Sequence, residues 1–136
     1  MKIKLLIIFL FLFTSQVFAV DPSWTPVSTS LDNTSVYYAD FNSISKNESG
    51  NHLAWTLHDD IKEKTSMIVF LECDCRQLKQ RWLYAESYSL NMGKGKMLIS
   101  ADFNKLSKVD SKLTSWLYPK PKSINHVNLK AICNNI

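Results

Sequence analysis

The sequence predicts a small α+β domain, with strands laid down first and one helix at the C-terminal end. Three observations predict it. Residues 52–59, HLAWTLHD, alternate with a period of two, as a half-buried strand does. Residues 66–75, SMIVFLECDC, are β-branched, aromatic and apolar on both faces. Residues 123–133 begin at Ser123, a good N-cap, and carry Ile124, Val127 and Ala131 on one helical face.

The elements follow in order. Lys2 and Lys4 precede an unbroken apolar run over residues 5–13, and Val17-Phe18-Ala19 supplies a cleavage motif. This predicts a secretory signal peptide over residues 1–19, leaving one domain over residues 20–136. The apolar run is shorter than the roughly 20 residues of a spanning helix. No second such run follows, so the mature chain is expected to have no transmembrane segment. No cysteine stands at the cleavage point to take a lipid.

Residues 23–29, SWTPVST, read as a first strand, LDNTS as a turn and residues 36–40 as a second strand. The polar stretch 41–51 closes it. In the third strand Leu53, Trp55 and Leu57 face one side, and His52, Ala54, Thr56 and His58 the other. In the fourth, Met67, Val69, Leu71, Cys73 and Cys75 share a face, while Ile68 and Phe70 make the other face apolar too. That strand belongs in the middle of the sheet. Residues 81–90 form the next strand, NMGKGK a turn and residues 97–100 a last short strand.

From residue 101 the signals conflict. Phe103, Leu106, Val109, Leu113, Trp116 and Leu117 keep a helical stripe, yet Ser107, Asp110, Ser111, Thr114 and Ser115 fill helices poorly. One or two helical turns within a loop satisfy both. Pro119 and Pro121 end the segment.

The formal charge of +4 contains Lys2 and Lys4; without them 14 basic residues face 12 acidic ones. Residues 20–90 carry six basic and ten acidic groups, whereas residues 91–136 carry eight lysines against Asp102 and Asp110. Lys94, Lys96, Lys105, Lys108, Lys112, Lys120 and Lys122 are therefore the candidate binding surface, suited to an acidic partner. A solvated lysine face is the plainer reading of the same residues.

Other chemistry finds little support. His58-Asp59-Asp60 offers acid–base groups but sits where a charged turn is expected. GKGK lacks the spacing and the Ser or Thr of a phosphate loop. KQRWLYAESY interleaves basic and aromatic groups as nucleic-acid binders do, but an exported chain is not expected to meet nucleic acid. Asn33 and Asn47 head formal glycosylation sequons, relevant only in a eukaryotic host. No cofactor motif is present.

The three cysteines are Cys73, Cys75 and Cys133. Cys73 and Cys75 point the same way, but a structural metal site needs about four ligands. His126 and Cys133 stand about 10 Å apart along a helix, and His52 and His58 about 20 Å apart along a strand, so no metal site is expected. A Cys73–Cys75 bridge has an unfavourable path. The remaining reading is a staple from one of the pair to Cys133, as exported chains favour. The other is a buried thiol or an intermolecular hook, the second making a homodimer.

The order of short motifs resembles the surface-adhesin protein E family of bacteria: WTPV at Trp24, YYAD followed by SISK, WTLHD at Trp55, SM leading into ECDC, then WLYPKPKS and the final cysteine. The resemblance implies a small antiparallel β-sheet with a C-terminal α-helix packed on it and tied by a disulfide. It matches Asp74 and Cys75 to the family's acidic residue and cysteine, so it implies a Cys75–Cys133 bond with Cys73 as the free thiol. It further implies a non-enzymatic envelope protein, since some relatives bind host extracellular-matrix or plasma proteins. The alternative is a periplasmic accessory protein with no host ligand. The expected location is accordingly exported: periplasmic, secreted or on the cell surface.

Overall fold

The computed structural model describes residues 21–135. The signal peptide read over residues 1–19 lies outside the described residues. An antiparallel seven-stranded sheet carries a C-terminal helix and is closed by a Cys75–Cys133 disulfide.

The strands are β1 (Thr25–Thr29), β2 (Ser35–Ala39), β3 (Ser45–Lys46), β4 (His52–Asp60), β5 (Thr65–Asp74), β6 (Lys79–Leu90) and β7 (Lys94–Asp102). Their spatial order is β1-β2-β4-β5-β6-β7, a meander in which every pairing is antiparallel. β3 adds to the margin of β4 beyond the end of β2, from inside the stretch read as a polar closure. β5 is central, as its two apolar faces require.

Two helices follow: α1 (Phe103–Leu106), one turn capped by Asp102, and α2 (Ile124–Asn134), capped by Ser123 accepting from the His126 amide at 3.3 Å. α2 lays Leu129 and Ile132, both 0% exposed, on Ala39, Ala54, Val69, Leu71 and Cys73. Burying two such side chains stabilises the fold by about 1.5–3 kcal/mol each. Small Ala39 and Ala54 let the helix backbone come close.

The helix selects the face of β4 that the sequence leaves ambiguous. It covers His52, Ala54 and Thr56, not Leu53 and Trp55. The alternation itself is right, but large apolar groups do not mark the helix side. They build an aromatic ladder on the opposite face, where Trp55 stacks on Phe70 at 4.7 Å and meets Tyr84 edge-on at 6.3 Å.

Other boundaries also differ. β6 starts two residues early, at Lys79, and β7 starts at Lys94 because the turn takes only Asn91–Gly93. β4 runs one residue past the predicted strand, to Asp60, so the charged turn begins only after His58-Asp59-Asp60. Asp59, 2% exposed, accepts the Met92 amide at 2.8 Å and so pins the Asn91–Gly93 turn over the open face. Gly93 has φ +66° and would place a Cβ 2.7 Å from Ile68 Cδ1. Gly93→Ala should therefore lower stability by about 1–2 kcal/mol in a denaturant titration, and an unchanged midpoint would show that Ile68 yields freely.

The predicted stripe over residues 103–117 breaks as its composition suggested. After α1 comes a single 3-10 turn, Ser111–Thr114, with Asp110 as its cap. Trp116 and Leu117 are extended, and Leu117 exchanges backbone hydrogen bonds with Gln80 at 2.8 and 2.9 Å. Residue 117 thus continues the sheet beside β6 where β7 has ended.

Candidate functional site

Lys94 and Lys96 lie on β7, an edge strand with a partner on one side only. Lys105 is on α1, Lys112 in the 3-10 turn and Lys108 between them. Phe103 fastens this segment by meeting Trp82 edge-on at 5.8 Å. These five lysines therefore occupy one continuous run along β6 and its margin. Lys120 and Lys122 stand apart, in the connection between the Leu117 bridge and α2. All seven are exposed. Lys105 pairs with Asp102 at 3.5 Å; among the described residues the other six make no ion pair.

Exposed apolar groups interleave with the lysines. Met97, Leu98 and Ile99 on β7 are about half to two-thirds exposed, and Val109 is 88% exposed. The sequence shows these residues, but only the topology shows that β7 has no strand beyond it among the described residues. An edge strand of this kind offers unpaired backbone groups, apolar area and positive charge together.

A second constellation escaped sequence reading because its members are scattered. Glu72, 4% exposed, receives Arg81 through Nε at 2.7 Å and Nη2 at 2.6 Å. Its other oxygen accepts from Asn47 and Asn51, each at 2.8 Å. Burial pushes the Glu72 carboxyl up, but the donors Asn51, Arg81 and Asn47 outweigh it and hold the group below the usual range. The Arg81 guanidinium also lies over the Trp116 ring at 4.6 Å, beside Lys79 at 4.8 Å. Asn47, which heads a sequon, is occupied in this network and in its own turn.

The cysteines form a third cluster. Cys75 and Cys133 are bonded, with Cα atoms 5.5 Å apart. Cys73 is a free thiol, fully buried between His52 and Gln80 on the neighbouring strands. Burial, with the Glu72 charge adding, pushes its pKa up to about 12, so it is inert. His52 places Nδ1 3.1 Å from Cys75 Sγ. That sulfur is held in the disulfide and is no thiolate ligand. Burial, helped by Lys46, keeps the His52 pKa below its ordinary value. Among the described residues no group of three or more His, Cys, Asp and Glu side chains is placed to hold a metal. Nor is any described helix long and apolar enough to cross a membrane.

No curated protein and no solved structure matches the chain. A family model does, over residues 24–134, from the first motif tryptophan to the end of the stapled helix, and the chain belongs to the surface-adhesin protein E family.

Proposed function

We propose that this protein is an exported, non-enzymatic binding module that docks host extracellular-matrix or plasma proteins through its lysine-bearing margin. Membership of an adhesin family supports a surface or exported protein of adhesin type. The observation that carries the finer reading is the open β7 edge, where Lys94 and Lys96 lead into exposed Met97, Leu98 and Ile99. Charge brings an acidic partner in, and the apolar strand supplies contact area once water is displaced. Lys105, Lys108 and Lys112 extend the positive margin, and Lys120 and Lys122 add to the long-range field.

Binding to immobilised matrix extract and plasma proteins, measured against salt, tests this reading. Affinity should fall as salt rises, because exposed charges are screened over roughly 8–10 Å at physiological ionic strength. The variant Lys94→Gln, Lys96→Gln, Lys105→Gln, Lys108→Gln should bind on the order of tenfold more weakly, since exposed ion pairs contribute about 0.2–1 kcal/mol each. Its melting temperature should match the parent's. Binding indifferent to both salt and these substitutions would refute the lysine margin as the docking surface.

A further inference from the structure

A groove of about 590 Å³ opens on the face of the sheet away from α2. Its floor is set by strand register. Trp55 pairs with Phe70 and Phe70 with Tyr84, and in the next row Ile68 pairs with Glu86, so Trp55, Ile68 and Glu86 point to the same side. The Asp40 amide donates to the Trp55 carbonyl at 3.0 Å, which brings Asp40 alongside. Trp24 and exposed Asp21 also line the groove.

Three carboxylates and two tryptophans thus stand among its described lining residues, with no lysine, arginine or histidine. Among the described residues, Asp21, Asp40 and Glu86 make no ion pair. Glu86 is held in place, since Tyr84 Oη donates to its Oε1 at 2.6 Å and Tyr88 Oη to its Oε2. Hydrogen bonding to Glu86 pushes the Tyr88 hydroxyl up to about 12, so it stays a donor. Trp55 is fixed as well, stacked on Phe70 with Tyr84 at its edge. Unpaired negative charge beside aromatic rings draws a cation, because the ring faces are themselves negative. We propose that the groove seats an arginine side chain presented by an exposed segment of a partner protein.

Each part of that description has its own ground. The positive charge follows from three carboxylates without a counter-ion, in the half of the chain where ten acidic groups outnumber six basic ones. Arginine suits the lining better than an ammonium group, because a planar guanidinium stacks on indole and forks to a carboxylate. The volume exceeds that of one side chain and leaves room for the peptide that carries it. None of the seven candidate lysines is involved, so the groove does not depend on the docking margin.

Nα-acetyl-arginine amide and Nα-acetyl-citrulline amide test the proposal, because they share an outline and differ in charge. Titrated into the purified protein and followed by ¹H–¹⁵N spectra, the arginine probe should shift the indole N–H signals of Trp24 and Trp55 saturably. Those of Trp82 and Trp116 should stay in place. The citrulline probe should bind about tenfold more weakly, for want of the charge-assisted hydrogen bonds. Asp21→Asn changes an exposed residue, and Glu86→Gln keeps an oxygen that accepts from a tyrosine. Each should weaken the arginine probe about threefold, as loss of one exposed charge pair does. The double variant should bind the two probes about equally. Absent shifts, shifts confined to Trp82 or Trp116, equal binding in the parent, or an arginine preference that survives the double variant overturns the proposal. Tighter binding of free arginine would make the groove a metabolite site, and Trp24 and Trp55 signals that move on dilution without a probe would give it to a second copy. Either result overturns the partner protein as occupant.

Discussion

Cys133→Ser should lower stability by about 2–5 kcal/mol, the range for losing a bridge in a small exported domain. The bond spans 58 residues, and releasing a loop of that length in the unfolded chain accounts for about 4 kcal/mol in the chain-entropy model. The loss should fall hardest on α2, whose Leu129 and Ile132 are buried by the docking that the bond secures. Cys73→Ser should cost less, because no bond is lost, though its hydroxyl would enter a site with 0% exposure. Peptide mapping without reductant should recover Cys75 linked to Cys133, with Cys73 alkylated only after denaturation. Rapid alkylation of Cys73 in the folded protein would contradict its burial. Equal stability of Cys133→Ser and the parent would contradict the staple.

Glu72→Ala should cost about 1–3 kcal/mol, as leaving buried donors without an acceptor does, because Arg81 is a third exposed and can rehydrate. Three donors converge on this one carboxylate: Arg81, Asn47 and Asn51. The substitution leaves all three short of an acceptor, and Arg81 keeps only its stacking on Trp116. Glu72→Gln should cost less, since an amide oxygen still accepts from the asparagines. The sign of the pH dependence follows from the direction of the shift. The folded carboxyl titrates below its ordinary value of 4.5, so its contribution is fully present above that value. It is lost as pH falls through the lower folded value. Stability measured by denaturant from pH 7 to pH 3 should therefore decline in acid, and Glu72→Gln should flatten that decline. Asp74 and Asp32, also held low by hydrogen bonds, keep part of it. A Glu72→Gln curve parallel to the parent's would remove Glu72 from the acid response.

Much of this architecture is legible in local pattern. The period of two over residues 52–59 places β4, the doubly apolar run before Cys73 places β5 at the centre, and Ser123 marks the start of α2. Such signals are readable because they lie within one element. What stayed hidden depends on partners distant in the chain. Leu53 and Trp55 are larger than Ala54 and Thr56, yet the helix lies over the smaller pair, where its backbone can approach. Trp116 fits a helical stripe by spacing, but it serves as a platform for Arg81 and Lys79 because Leu117 pairs with Gln80. The candidate lysines were visible as a charge imbalance. That β7 is an edge, and that Trp55 and Glu86 line one groove, required the sheet order.

The position of α2 in the chain has a consequence for biogenesis. Leu129 and Ile132 complete the core from a helix that follows all seven strands in the chain. A polypeptide made from its N-terminus can pair β1 through β7 before the residues that cover Ala54, Val69 and Leu71 exist. During that interval the sheet presents an uncovered apolar surface, the condition in which nascent chains aggregate or recruit chaperones. Closing the core thus waits for α2, and oxidation waits with it, since Cys133 lies within that helix.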